Sequence, residues 1–462
     1  MSNENKDKKQ RNLLLESPKG VSELLKSAAH PARIRVLAHL MQGNCEFSDL
    51  MLYTKLSKTA LANQLNHLVR MGLVKRVARG EYALTVDGRE LLSAAATVYQ
   101  NSKWREENRR EALQSRYTRS LVEGKIMSRK VIRKEAVYPP CWLSYTGAMA
   151  GSLKALGTDC DIVDVGGYSG YAFLINVSKG ITCPSGPTAL PSQTWRQINK
   201  ATENLGWTLE HYDYPHSYPE VEGKHTAKEI EVARKMLEKI KREIDEKDRP
   251  VVLWGLVVPE YGIVNGYEGE SYLTSTFRRL AKQPEDPVIF YDLKAPGCLE
   301  AFFFKNRVGP DHPGSRREAV ERAVHFAEAK VPILDNYVAG PAALDEWANV
   351  LESLPEEKQN YHGNSYVAAC VCEGRAISNE FLQRLAKRHP GKHAKHLLAA
   401  AECYNRSAKL MEEFTRIFPF KFQGEMKTKE RKKAAELLRQ VKPLEEEAVK
   451  HMKKALKMWK RL

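Results

Sequence analysis

Apolar residues recur three or four positions apart through residues 18–100, which is the spacing of helices with one buried face. The pattern predicts three short helices and then a fourth from Lys58 to Met71, which Ser57 is suited to cap. Leucines at helical spacing would face the core and leave the polar residues of this fourth helix exposed. Two strand-like runs on either side of Arg79-Gly80 predict a β-hairpin, and a further helix follows from Asp87.

This order of helices and hairpin is that of a winged helix-turn-helix domain. On the exposed face of the fourth helix, amide side chains can bond adenine edges in the major groove. Arginines on the hairpin would lie beside the DNA backbone. We therefore expect a DNA-binding surface that consists of Lys58, Thr59, Asn63, Asn66, Arg76 and Arg79. A winged helix that makes only protein contacts is the alternative.

Residues 18–100 resemble the ArsR-type winged-helix repressors in three segments, Ser27–Leu37, Leu56–Leu68 and Met71–Lys75. The resemblance implies a homodimer whose two recognition helices meet a two-fold operator in double-stranded DNA. Metal-sensing members carry a pair of cysteines near the third helix, whereas this chain has only Cys45 there, so we expect no metal. The polar residues that follow, 101–135, predict a helical linker or dimer arm.

Residues 136–312 mix helical and strand patterns. A Pro-Pro pair leads into Cys141-Trp142 and a run of small and apolar residues that predicts a helix ending at Gly157. The glycines Gly166, Gly167 and Gly170 predict tight turns before a strand from Ala172. Two helices are then predicted, from Gln193 to Leu205 and from His225 to Glu246. Strand-like runs begin near Trp207, Pro250, Gly262, Tyr272, Val288 and Ala301.

A thiol at the start of a helix is the usual setting of a nucleophilic cysteine, because the helix dipole favours thiolate. The helix after Cys141 followed by an antiparallel sheet resembles a papain-like cysteine-peptidase fold, in particular the bacteriocin-processing peptidases and the butirosin-biosynthesis acyltransferase-like proteins. The resemblance rests on Cys141-Trp142, Gly167–Phe173 and Pro259–Tyr267. It implies Cys141 as the nucleophile of an active enzyme.

The same resemblance places Glu260 where the catalytic histidine would stand. A glutamate beside a thiol raises its pKa, because two negative charges repel each other. We therefore expect a degenerate catalytic cleft that binds a ligand, with ordinary core aromatics as the alternative. Its expected lining is Cys141, Trp142, Tyr168, Glu260, Tyr261 and Asp292.

Residues 313–462 read as helices throughout. Helices are predicted over Arg316–Ala329, Ala342–Leu351, Tyr366–Arg388 and His393–Ile417, and Lys427–Leu462 is predicted to form a pair of helices. Residues 340–348 and 362–369 also resemble the helical companion of the acyltransferase-like proteins. The expected fold is therefore an α+β multidomain protein with a winged helix-turn-helix, a cysteine-peptidase-like α+β domain (136–312) and an α-helical C-terminal region (313–462).

The composition indicates which partner and which cellular compartment to expect. The 462 residues carry 73 Lys and Arg against 57 Asp and Glu, a net charge of +16 that suits a nucleic-acid partner. The 8 irregularly spaced cysteines indicate reduced thiols, and Cys370-Val-Cys372 is not expected to bind metal, because residues two apart on a helix face different ways. No apolar run reaches the ~20 residues of a membrane span, and residues 1–17 predict a disordered, charged lead-in rather than a secretory signal. We expect a cytoplasmic protein without cofactors.

Two functions follow from these patterns. The leading hypothesis is a DNA-binding transcriptional regulator whose cysteine-peptidase-like module senses a small-molecule ligand. The alternative is a cysteine-dependent acyltransferase or hydrolase with an accessory winged helix.

Overall fold

A computed structural model describes residues 11–41, 43–54, 56–100, 128–215, 226–295, 298–309 and 313–459. The chain divides into two compact units, Met1–Ile126 and Met127–Leu462. The predicted dimer arm lies mostly outside the described residues. The helical C-terminal region and the sheet domain, which the sequence separates at residue 312, belong to the same compact unit.

The first unit is a small helical domain with a three-stranded antiparallel sheet in the order β1-β3-β2. Its helices are α1 (Pro18–Ala28), α2 (Pro31–Leu40), α3 (Phe47–Thr54), α4 (Lys58–Arg70) and α5 (Val86–Gln100). Its strands are β1 (Cys45–Glu46), β2 (Val74–Ala78) and β3 (Glu81–Leu84). The core is a set of leucines and valines from α2, α3, α4 and the hairpin, joined by Tyr82. The predicted winged helix-turn-helix is therefore present. The sequence missed the short strand β1, and residues 11–16, which it assigned to a disordered lead-in, are helical.

The second unit is built on an antiparallel sheet in the order β10-β9-β8-β7-β11-β6, with β4 also paired to β8. The strands are β4 (Arg129–Val131), β6 (Trp207–Pro215), β7 (Val251–Trp254), β8 (Tyr261–Glu268), β9 (Ser271–Ser275), β10 (Val288–Ile289) and β11 (Cys298–Arg307). Helices in this part are α6 (Ser144–Ala155), α7 (Ile162–Ser169), α8 (Ser192–Lys200) and α9 (Ala227–Lys247). Both α6 and α9 pack on β8. The start of α9 is fixed by a capping box, in which Thr226 and Glu229 bond each other's backbone N–H groups.

Long helices complete this unit. They are α10 (Pro313–Ala327), α11 (Pro341–Ser353), α12 (Tyr361–Arg388), α13 (Ala394–Ile417) and α14 (Thr428–Met458), and a small sheet pairs β12 (Tyr337–Ala339) with β5 (Asn176–Ser178). Residues from α12, α13 and the end of α14 share one hydrophobic core with the sheet and α6. No helix of the described residues has both the length and the apolar character needed to cross a membrane.

Three predicted boundaries are wrong. The helix expected to start at Cys141 begins at Ser144. The glycine-rich segment after Asp161 is the helix α7 rather than turns and a strand, and only Asn176–Ser178 is extended. Asp161 caps α7. A Cβ at Gly167 would lie 2.1 Å from the ring of Phe381, so the absence of a side chain at Gly167 allows α12 to pack closely against α7.

The third wrong boundary is in the C-terminal stretch, which forms one helix rather than a pair. Pro443 lies inside α14, where a proline normally breaks a helix. Val441 and Leu444 are buried on either side of it, as part of an apolar stripe that continues along the helix. Burial of this stripe keeps α14 continuous through the proline.

Candidate ligand site and DNA-binding surface

Cys141 lies in the segment that precedes α6 and is 1% exposed. Its Sγ lies 3.5 Å from the hydroxyl oxygen of Tyr138 and 3.6 Å from the carbonyl oxygen of Leu143, and its one S–H can donate to either of them. Burial, and then the carboxylate of Glu373, raise the pKa of the Cys141 thiol well above its ordinary value. Within the described residues no histidine bonds this thiol. The surroundings of Cys141 therefore favour a neutral thiol over a nucleophilic thiolate.

Glu260, which precedes β8, is buried beside the first turn of α6. Its Oε2 accepts a hydrogen bond from the Ser144 hydroxyl at 2.5 Å, and its Oε1 accepts one from the hydroxyl of Tyr366 on α12. Burial raises the pKa of Glu260 to about 7, although the two hydrogen bonds favour its ionised form. The carboxylate of Glu260 also raises the pKa of Cys141, by less than burial and Glu373 do. Glu260 therefore lies near Cys141, but its hydrogen-bond partner on α6 is Ser144.

A second carboxylate, Glu373 of α12, contacts the same segment. One of its oxygens accepts the backbone N–H groups of Trp142 at 2.8 Å and of Leu143 at 2.7 Å. Burial raises the pKa of Glu373, and these two hydrogen bonds oppose that shift. The sequence interpretation missed both Glu373 and Tyr366. Their spacing of seven residues, which places them on one face of a helix, is the signal that could have grouped them.

Three of the six predicted ligand residues lie close together, and the other three lie elsewhere in the second unit. Cys141, Trp142 and Glu260 come together at the start of α6. The Tyr261 hydroxyl instead donates to Glu300, whose other oxygen lies 2.6 Å from Nε2 of His211. Tyr261, Glu300 and His211 thus form a separate hydrogen-bonded group.

The two remaining predicted residues have different surroundings. Tyr168 lies on α7 with its ring 5.2 Å from that of Phe381. Asp292 is exposed and pairs with Lys294 at 3.2 Å. Its exposed carboxylate does not share the buried environment of Cys141 and Glu260.

The interior beside this cluster has little free space. A cavity of about 20 Å³, lined in part by Leu143, Tyr171 and Cys370, has room for about one water molecule. Within the described ranges, no three His, Cys, Asp or Glu side chains are arranged to hold a metal ion. A larger ligand at this cluster would therefore have to bind on its solvent side.

The DNA-binding surface predicted for the first unit begins with α4. The hydroxyl of Ser57 accepts the N–H of Ala60 at 3.3 Å and so caps this helix, as expected. Leu61, Leu65 and Leu68 are fully buried. The opposite side of α4 exposes the four predicted residues Lys58, Thr59, Asn63 and Asn66.

The hairpin beside α4 exposes both of its predicted arginines. Arg79 is at the turn, where Gly80 has φ +87°, a left-handed conformation that glycine adopts without strain. Arg76 is held on β2 because its guanidinium lies over the ring of Tyr82 and donates to the Tyr82 hydroxyl at 3.1 Å. The cation of Arg76 thus has a fixed position and remains exposed.

Residues 30–76 match the family model of the bacterial regulatory proteins of the arsR family. The N-terminal domain is of ArsR type. No curated protein matches the chain significantly. The family match covers α2 to the first part of the hairpin, and it supports a DNA-binding transcriptional regulator that contacts double-stranded DNA.

The exposed side of α4 ends in a further cation, Arg70. It lies 3.2 Å from Nδ1 of His67. Burial, and then the charges of Arg33 and Arg70, lower the pKa of His67, so this histidine is neutral near pH 7. Arg70 therefore lies beside a neutral histidine at the C-terminal end of the helix.

Proposed function

We propose that the protein is a ligand-responsive transcriptional regulator. In this proposal the ArsR-type domain binds operator DNA, and the unit Met127–Leu462 binds a small molecule that changes the affinity for DNA. The observation that carries the proposal is the exposed face of α4, where amides and a lysine stand opposite a fully buried leucine stripe. Side chains of this kind on an exposed helix can read base edges, and the net charge of +16 favours a polyanion.

The proposal includes a homodimer. Apolar side chains of α1 and α5 are exposed on the isolated unit, among them Leu24, Leu25, Val98 and Tyr99. Pairing of these helices between two copies would bury them and would present two recognition helices to a two-fold operator. A ligand then acts by favouring one spacing of the two recognition helices over another. Native mass spectrometry of the full chain tests the dimer, and a mass of one chain at micromolar concentration would contradict it.

A shift assay with the DNA upstream of the protein's own gene tests the DNA-binding function. Replacing Arg79 by alanine should weaken binding to all DNA and reduce the slope of log K against log salt by about 1. Asn63→Ala should instead reduce the preference for operator over unrelated DNA. Lys19→Ala, at an exposed position of α1, is the matched control and should leave both quantities unchanged. Wild-type protein that shows no salt-sensitive binding would refute the regulator.

The alternative, a cysteine-dependent acyltransferase or hydrolase, has less support. Such chemistry needs a thiolate and a base that takes its proton. Burial, and then the carboxylates beside Cys141, raise the pKa of its thiol, and the side chains that bond the thiol are the hydroxyls of Tyr138 and Thr146, which are not bases. We therefore favour binding over catalysis for this unit.

A further inference from the structure

Six aromatic rings form a continuous group at the surface of the second unit, and we call this group the aromatic cluster. Its members are Trp142, Phe277, His362, Tyr366, Phe420 and Phe422. Neighbouring ring centroids within it are 4.9 to 6.5 Å apart. Phe422 is 69% exposed, Trp142, Phe277, His362 and Phe420 are partly exposed, and Tyr366 is buried beneath them at 5%. Contiguous exposed apolar side chains of this kind can mark a binding surface.

The aromatic cluster lies over two acids that have no cationic partner. Among the described residues, no lysine, arginine or histidine forms an ion pair with Glu260 or Glu373, and no cation contributes to the pKa of either. The ionisable neighbours of Glu260 are the hydroxyls and thiols of Tyr138, Cys141, Tyr171, Tyr366 and Cys370. Burial raises the pKa of each of these groups, so they stay neutral near pH 7.

Two members of the aromatic cluster connect its surface to the acids. The ring of Tyr366 lies in the cluster while its hydroxyl donates to Glu260, and the backbone N–H of Trp142 donates to Glu373. A phenol that donates to a carboxylate gains electron density on its ring, because hydrogen-bonded groups polarise one another. Burial lowers the pKa of His362, so the cluster carries no positive charge from its own histidine at neutral pH. Its ring faces are therefore suited to a cation.

We propose that the aromatic cluster binds a small organic cation of the alkylammonium class, held by the exposed rings of Trp142, Phe420 and Phe422 above Tyr366 and the negative charge of Glu260 and Glu373. Aromatic faces attract ammonium groups through the ring quadrupole, and such sites often recognise quaternary ammonium. This inference rests on the proposed regulator, since it names the class of ligand that the second unit would sense.

Isothermal titration calorimetry of the full chain with choline tests the site, and 3,3-dimethylbutan-1-ol, which has the same shape without the charge, is the comparison. Choline should bind saturably, and the neutral alcohol should bind at least about tenfold more weakly. Phe420→Leu and Glu260→Gln should each weaken choline binding by about tenfold. Tyr214→Leu, at a partly exposed aromatic residue outside the aromatic cluster, is the control and should not change it.

Circular dichroism of each variant shows whether the fold is kept, and Tyr366→Phe, which keeps the ring, replaces any variant that unfolds. Equal affinity for choline and the alcohol would overturn the cationic class of the ligand. The absence of saturable choline binding, or an undiminished affinity in Phe420→Leu, would overturn the site. The same preparations are assayed for DNA binding, so failure of the site with DNA binding intact is distinct from failure of the regulator.

Discussion

Removal of the Arg375 side chain should destabilise the second unit more than removal of any exposed arginine. Arg375 of α12 and Glu445 of α14 form an ion pair whose side chains are 1% and 4% exposed. Two parallel hydrogen bonds of 2.9 Å join the guanidinium to the carboxylate. The same guanidinium donates to the carbonyls of Ala172 at 3.0 Å and Phe173 at 3.2 Å. Arg375 therefore links two long helices to the turn after α7.

The size of the effect follows from these contacts. Arg375→Ala leaves a buried carboxylate without its cation, and breaking a buried pair in this way costs about 3–5 kcal/mol. The two backbone carbonyls that lose their donor add to this cost. The exposed pair Arg439–Glu352 is the internal control, because its side chains are 45% and 36% exposed and such pairs contribute about 0–1 kcal/mol. Arg375→Ala should thus cost at least about 2 kcal/mol more than Arg439→Ala.

Urea unfolding of the full chain, followed by tryptophan fluorescence, measures this difference. Every tryptophan except Trp104 lies in the second unit, so the signal reports on that unit. The double variant Arg375→Met with Glu445→Leu should recover most of the loss, since it leaves no charge buried. The reasoning is refuted if Arg375→Ala and Arg439→Ala lower the unfolding free energy equally, or if the double variant is no more stable than Arg375→Ala.

Three further predictions concern acidity, reactivity and close packing. Because the pKa of Glu260 is about 7 in the fold and 4.5 ordinarily, the folded state binds the proton more tightly, and stability should fall as pH rises from 4.5 to 7. The stability of Glu260→Gln relative to wild type should therefore rise by about 3 kcal/mol between pH 4.5 and 8 in urea unfolding, and a constant difference would contradict this. Iodoacetamide at pH 7.5 should label the half-buried Cys183 before Cys141, as read by peptide mass spectrometry, and rapid labelling of Cys141 would revive the enzyme hypothesis. Gly363→Ala should lower the melting temperature despite the helix propensity of alanine, because its Cβ would lie 1.7 Å from the carbonyl oxygen of Thr182, and an unchanged or raised melting temperature would contradict this.

The winged helix could be predicted from the sequence because its signals are local. The Ser57 cap, the leucine spacing of α4 and the Arg79-Gly80 turn each involve residues close together in the chain, and the structure has all three. Helix α7 shows the limit of such rules. Its glycines predict turns by propensity, but the segment is a helix that Asp161 caps, and Gly167 is required for close packing against Phe381, more than 200 residues away in the chain.

The polar cluster of the second unit could be predicted only in part for the same reason. Glu260 and Ser144 are 116 residues apart in the chain, and Trp142 and Glu373 are 231 apart. Only the family resemblance set Glu260 against Cys141, and the sequence started the helix three residues too early. That shift, close to one helical turn, brings the hydroxyl of Ser144 rather than the thiol of Cys141 against the carboxylate. Helix starts are the least certain part of a sequence prediction, and here the error falls on the proposed nucleophile.

The buried Glu260 connects stability to the proposed ligand. Raising its pKa from 4.5 to about 7 corresponds to about 3 kcal/mol of unfavourable free energy when the group is ionised in the fold. Hydrogen bonds from Ser144 and Tyr366 offset part of the desolvation, and no cation of the described chain offsets the rest. An ammonium ligand on the aromatic cluster would favour the ionised form and so recover some of that free energy on binding. Choline should therefore raise the melting temperature of the wild type more at pH 8 than at pH 5, and this pH dependence should be smaller in Glu260→Gln.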